Sequence, residues 1–163
     1  MTKTLREQLI GAWKLVSYVE KPVDGSNPAC PMGEKLEGII IYATDGYMSV
    51  QLMRPDRPQF SSGDRSSGTE SEIKAAASGY FAYAGPFDID EEKKILTHAM
   101  FLSLDPNWLG QVQTRVVRIE GDMLQLSTEE PLESAGKETM YYLTWRRAEP
   151  RLECRASDSA TAR

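Results

Sequence analysis

The sequence predicts an all-β fold: one antiparallel up-and-down β-barrel of about eight strands with one short helix. Three observations carry that prediction. Runs of alternating, β-branched or aromatic residues recur along most of the 163-residue chain, and period-two alternation marks a strand whose two faces meet different surroundings. Several connections between the later runs are short, as in Asp90-Glu91-Glu92-Lys93, Asp105-Pro106-Asn107 and Glu120-Gly121-Asp122, which suits antiparallel neighbours. A single segment between runs carries both a helix start and a helix stop. Closure of such a meander removes the unpaired edges of a long sheet, and a barrel of about eight strands has room for one small ligand.

Taken in order, Thr4 to Leu9 is polar with apolar Leu5, Leu9 and Ile10, which fits a short helix leading into the first strand. From Gly11 to Glu20 the alternation puts Trp13, Leu15, Ser17 and Val19 on one face and Ala12, Lys14, Val16 and Tyr18 on the other. Pro22 to Met32 is a loop rich in Pro, Gly, Asn and Asp. Leu36 to Ala43 and Gly46 to Met53 are strand runs joined through Thr44-Asp45-Gly46, and Asp-Gly between such runs is a strong hairpin signal. Arg54 to Gly68 is a breaker-rich loop and a candidate for the barrel rim. Thr69 to Glu72 has capping-box spacing, Ile73 to Ala77 favours helix and Gly79 stops it. Tyr80 to Ile89, Lys94 to Leu104, Gly110 to Glu120, Asp122 to Thr128 and Glu138 to Arg147 complete the strands. Residues 1–148 are expected to form the barrel and residues 149–163, polar and aperiodic, a disordered tail.

Composition narrows the function classes. A formal net charge of -5 argues against nucleic acid and anionic membrane as partners, because both call for clustered Lys and Arg. The charged N-terminus does not read as a signal peptide, and no apolar run approaches the roughly 20 residues that span a bilayer. The expected location is the cytoplasm, where Cys30 and Cys154, the two cysteines, would be free thiols. With His98 as the one histidine and no Cys-x-x-Cys, a zinc or two-histidine site cannot be assembled. No metal and no cofactor are expected.

Several pieces, taken in order, resemble the bacterial and fungal lipocalin-like domain family over about Leu9 to Arg147. They include Gly11-Ala-Trp13, Gly38-Ile-Ile-Ile-Tyr42, Asp45-Gly-Tyr-Met-Ser49, Ala82-Tyr-Ala-Gly85, Thr97-His98, Asn107-Trp-Leu-Gly110, Gln113-Thr-Arg115 and Leu143-Thr-Trp-Arg-Arg147. The resemblance implies a barrel whose closed end holds Trp13, with Arg146 or Arg147 packed on the indole as a cation–π pair. Fungal members in natural-product pathways imply a polyketide- or terpenoid-like ligand. Ala99 stands where a second histidine often follows the first in the family, which puts in doubt any role that needs a histidine pair.

His98 shares a strand face with Leu96, Met100, Leu102 and Leu104, and that face is expected to look inward. It reads either as a core histidine satisfied by one hydrogen bond or as a pocket general acid or base, since an unperturbed imidazole titrates near pH 6.5. Arg115 lies on one face with Gln111, Gln113, Val117 and Ile119, opposite Val112, Thr114 and Val116. Periodicity leaves open which face is interior, and the resemblance at Gln113-Thr-Arg115 favours the first. There Arg115 would bind a carboxylate or enolate oxygen. Tyr83, Trp108, Tyr141 and Trp145 are candidates for an aromatic lining, with Met100 and Gln113 beside them on the inward faces.

Three functions follow. In the leading one, a monomer or homodimer encloses a small, largely apolar molecule and acts on it as a cofactor-independent isomerase, cyclase or lyase, His98 and Arg115 moving a proton. In the second, the same barrel is a carrier or sensor whose polar groups only orient the ligand. The third is a protein-interaction module using the Arg54 to Gly68 loop. A Gly-x-Ser-x-Gly elbow and a phosphate loop are both missing from the sequence, so hydrolase and nucleotide chemistry are not indicated.

Overall fold

A computed structural model describes residues 3–150. Cys154 and the expected tail beyond Pro150 lie outside the described residues. Thr4 and Thr69 each open a helix with a capping box, α1 at Leu5–Leu9 and α2 at Glu70–Ser78, and Gly79 caps the second. Ten strands account for most of the remainder: β1 Gly11–Pro22, β2 Glu37–Tyr42, β3 Tyr47–Met53, β4 Tyr80–Asp90, β5 Ile95–Ala99, β6 Leu102–Ser103, β7 Val112–Glu120, β8 Met123–Ser127, β9 Leu132–Ser134 and β10 Lys137–Arg147. Asp45-Gly46 turns β2 into β3, and Gly46 adopts φ 92°, a left-handed conformation that costs glycine little.

Eight strands form a ring in the order β1-β2-β3-β4-β5-β7-β8-β10, and β10 returns to β1. The closing pairing is antiparallel and runs from Trp13 opposite Arg147 to Pro22 opposite Thr139. β6 adds to β4, and β9, which the sequence pattern did not single out, adds to β10. The helix α1 plugs one end. Its Leu9 is fully buried and accepts a 2.8 Å hydrogen bond from the Trp13 indole N–H. Arg147 stacks 4.0 Å from the Trp13 ring centroid and donates to the Ile10 and Gln8 carbonyls. Arg146 points to Asp122 at the surface instead. Among the described residues no helix is long and apolar enough to cross a membrane.

Two strands depart from the simple alternation. In β1 the pairing with β10 shifts between Leu15 and Ser17, a β-bulge that inserts Val16, half of it exposed. One extra residue exchanges inside and outside for all that follows. Tyr18 and Glu20 therefore join Trp13 and Leu15 on the interior side, in place of Ser17 and Val19. The expected strand Lys94 to Leu104 is broken after Ala99. Its first part pairs with Phe87 to Asp90 of β4, whereas Leu102 and Ser103 pair with Ala84 and Tyr83. The Ala99 carbonyl oxygen lies 1.8 Å from where a Cβ on Gly85 would sit, so the break needs glycine at that point of β4. Leu96, His98 and Met100 are buried as expected, but Leu102 and Leu104 are 58% and 45% exposed.

Candidate functional site

The barrel interior holds a partly enclosed cavity of about 230 Å³. Alternation in β2, β3, β8 and β10 supplies its aliphatic wall through Ile40, Val50, Leu52, Leu126 and Leu143, and aromatic side chains cover much of the rest. Phe81, Tyr83 and Trp108 pack edge-on or tilted, with ring centroids 5.0 to 5.8 Å apart. Pro31 and Met32 reach in from the loop after β1, and Leu132 from β9. Because α1, Trp13 and Arg147 seal one end, the pairings set a depth scale along β10: Trp145, opposite Leu15, lies near the plug, and Tyr141, opposite Glu20, lies toward the other end.

Two charged side chains reach this apolar space. Arg115 is 7% exposed, which settles the interior face of β7 as Gln113, Arg115, Val117 and Ile119, while Val112, Thr114 and Val116 face out. Its Nη1 donates to the Thr114 carbonyl at 2.7 Å and to Gln113 Oε1 at 3.3 Å. No carboxylate among the described residues pairs with it. A buried cation without a counter-charge is costly, and a ligand oxygen would relieve that cost. Glu20 is 8% exposed and accepts from the Tyr18 hydroxyl and the Ser134 hydroxyl, each at 2.9 Å. Burial first, then the Glu20 charge, pushes the Tyr18 hydroxyl well above its ordinary range.

His98 sits one layer back, off the cavity wall. Its Nε2 is 3.0 Å from the Tyr42 hydroxyl and its Nδ1 3.2 Å from the Tyr83 hydroxyl. Burial, then the Arg115 charge, lowers the imidazole to about 3, so it is neutral at physiological pH. Burial likewise raises both tyrosines. Tyr42 is 1% exposed and has no other partner among the described residues, so its hydroxyl donates to Nε2 and the imidazole N–H is on Nδ1. The Tyr83 oxygen then accepts from His98, which leaves the Tyr83 hydroxyl proton for a group in the cavity. The buried Trp145 Nε1–H also lacks an acceptor among the described residues.

Of the residues singled out in the sequence, Tyr83, Trp108, Arg115, Tyr141 and Trp145 come together on the cavity wall. His98 and Met100 are buried but do not line it, and Gln113 holds the Arg115 guanidinium. Glu20 and Tyr18 were missed, because strict alternation separates them from Trp13. A carboxylate two residues after a tyrosine at the end of an apolar strand was the available signal. Among the described residues no group of three His, Cys, Asp or Glu side chains assembles as a metal site.

Comparison with known proteins agrees with this architecture. Residues 10–148 match the model of a lipocalin-like domain. A curated relative from Aspergillus oryzae, a 4'-hydroxy-3'-methoxypropiophenone carrier protein, is 41% identical over 111 residues, which cover 64% of this chain and 99% of the relative. A family match that spans the whole eight-stranded ring, from the start of β1 to the end of β10, means that the chain belongs to the lipocalin-like domain family.

Proposed function

We propose that the protein is a carrier for a small phenolic aryl ketone, which it encloses without chemical change. The observation that carries this reading is the cavity itself: aromatic and aliphatic walls around two buried charged side chains, the pattern of a ligand site in which a few polar groups fix orientation. Its volume of about 230 Å³ falls below the roughly 300–1,000 Å³ of sites for drug-sized molecules and above the roughly 150 Å³ that takes benzene. A single ring with a short side chain fits that interval. The relative's named cargo is a molecule of this size, with a ketone at one end and a phenol at the other.

Proton transfer through His98, as an isomerase, cyclase or lyase would use it, is the competing reading. The Tyr42–His98–Tyr83 chain of hydrogen bonds favours it. Against it stand the place of the imidazole behind Tyr83 and a basicity too low for a base working near neutrality. Titration with 4'-hydroxy-3'-methoxypropiophenone, followed by tryptophan fluorescence and native mass spectrometry, separates the two. A saturable one-to-one complex that releases the compound unchanged is the expected result. Conversion of the compound by the parent protein and not by His98→Gln would establish the enzyme instead, and no complex at all would remove both readings.

A further inference from the structure

The two charged residues in the cavity enter from different walls. Glu20 is on β1 and Arg115 on β7, three steps apart around the eight-strand ring through β10 and β8, and they make no ion pair with each other within 4.0 Å. On β1, Glu20 lies far from the plugged end where Gly11 and Trp13 begin the strand. Arg115 presents only donors, and the available Tyr83 proton and the unpartnered Trp145 N–H are donors too. Glu20 presents acceptors: each carboxylate oxygen accepts one protein hydroxyl and keeps further lone-pair capacity. The cavity is thus polarised between its walls, with donors on β4, β7 and β10 and an acceptor on β1.

We infer that Glu20 is a specificity residue: it accepts a hydrogen bond from a hydroxyl at one end of the ligand ring, while Arg115, on another wall of the barrel, donates to a carbonyl oxygen at the other end. This rests on the carrier reading and adds to it which ligands are refused. A ring ketone without the hydroxyl leaves the buried carboxylate short of a donor. A methyl ether at that position puts an acceptor against an acceptor. Discrimination that depends on an unpaired buried polar group exceeds what shape alone gives, and a hydrogen bond to a charged partner corresponds to roughly a tenfold to hundredfold difference in affinity. The hydroxyl binds in its protonated form, because a phenolate would face the Glu20 charge.

Calorimetric titration with 4'-hydroxypropiophenone, 4'-methoxypropiophenone and propiophenone tests this. The parent protein is expected to bind the hydroxylated ketone at least about tenfold more tightly than the other two. Glu20→Leu is expected to bring hydroxylated ketone and propiophenone within about threefold of each other while still binding propiophenone, which also reports that the variant is folded. Arg115→Met should weaken all three by a similar factor, since the carbonyl is common to them. Selectivity for the hydroxyl that survives Glu20→Leu overturns the inference, as does equal binding of the three ketones by the parent. The parent comparison needs no variant, so a misfolded Glu20→Leu does not shelter the inference. Equal binding leaves the carrier reading intact, whereas binding of none removes that reading and the inference with it.

Discussion

His98 is held between two tyrosine hydroxyls, and burial with the nearby Arg115 charge lowers it to about 3. An unfolded chain binds a proton there near pH 6.5. Between those values the unfolded state takes up a proton that the folded state refuses, so stability falls as pH drops from about 6.5 toward 3. Above pH 7 both states are neutral and the residue contributes no pH dependence. The slope is at most about 1.4 kcal/mol per pH unit. Urea denaturation at pH 7 and pH 4.5 should show the parent losing about 2–3 kcal/mol more than His98→Gln, which keeps a polar side chain and removes the titration. Equal losses would mean that the imidazole accepts a proton in the folded barrel. Arg115 and Glu20 differ from His98 in kind: both reach the cavity itself, and in the proposed carrier they orient the ligand.

At the level of elements, two local irregularities decide what the cavity contains. The bulge at Val16 turns Tyr18 and Glu20 inward and is the reason the site has a carboxylate at all. The break after Ala99 stops β5 short and lets Met100 to Ser103 cross onto the upper part of β4, where Tyr83 pairs with Ser103. Gly85 is the residue that admits this crossing, since a Cβ there meets the Ala99 carbonyl. Gly85→Ala must move backbone, not only a flexible side chain, and overpacking of that sort costs about 1–3 kcal/mol. The expected result is a loss in the upper half of that range by chemical denaturation. A loss below about 0.5 kcal/mol would mean that β4 has slack at this point and that the break has another origin.

For the molecule as a whole, closure of β10 on β1 and the plug at α1 enclose the interior cavity. Arg147 joins the two features, stacking on Trp13 and donating to the chain that leads out of α1. Arg147→Ala is expected to destabilise the barrel by about 1–3 kcal/mol from the lost cation–π contact and charged hydrogen bonds, without changing ketone selectivity, because its partners Trp13, Ile10 and Gln8 do not line the cavity. Binding stabilises the folded state by mass action. A ketone at 100 times its dissociation constant adds about 2.7 kcal/mol, which for a domain of this size raises the melting temperature by roughly 5–10 °C. Scanning calorimetry with and without 4'-hydroxypropiophenone measures it, and an unchanged midpoint at saturating ligand would show that the ketone does not bind the native barrel.

The sequence by itself determined most of the strands, the Asp45-Gly46 hairpin, the Thr69 capping box and the all-β class, because each depends on residues within a few positions of one another. It also picked out Tyr83, Trp108, Tyr141 and Trp145 as candidates for an aromatic lining, and the family resemblance at Gln113-Thr-Arg115 favoured an inward Arg115 that periodicity left open. What only the tertiary structure decided involves residues far apart in the chain. Pairing across β1 and β10 revealed the bulge that brings Glu20 inside. The approach of Ala99 to Gly85 ended β5. The neighbours of β7 fixed which of its faces was interior. The contact of His98 with Tyr42, 56 positions away, puts it behind the cavity wall, a placement that favours the core-histidine reading over the pocket acid or base that the sequence left beside it. Alternation counts residues along one strand; a bulge, a close approach or a shared hydrogen bond is a property of two, and the chain has to fold before they meet.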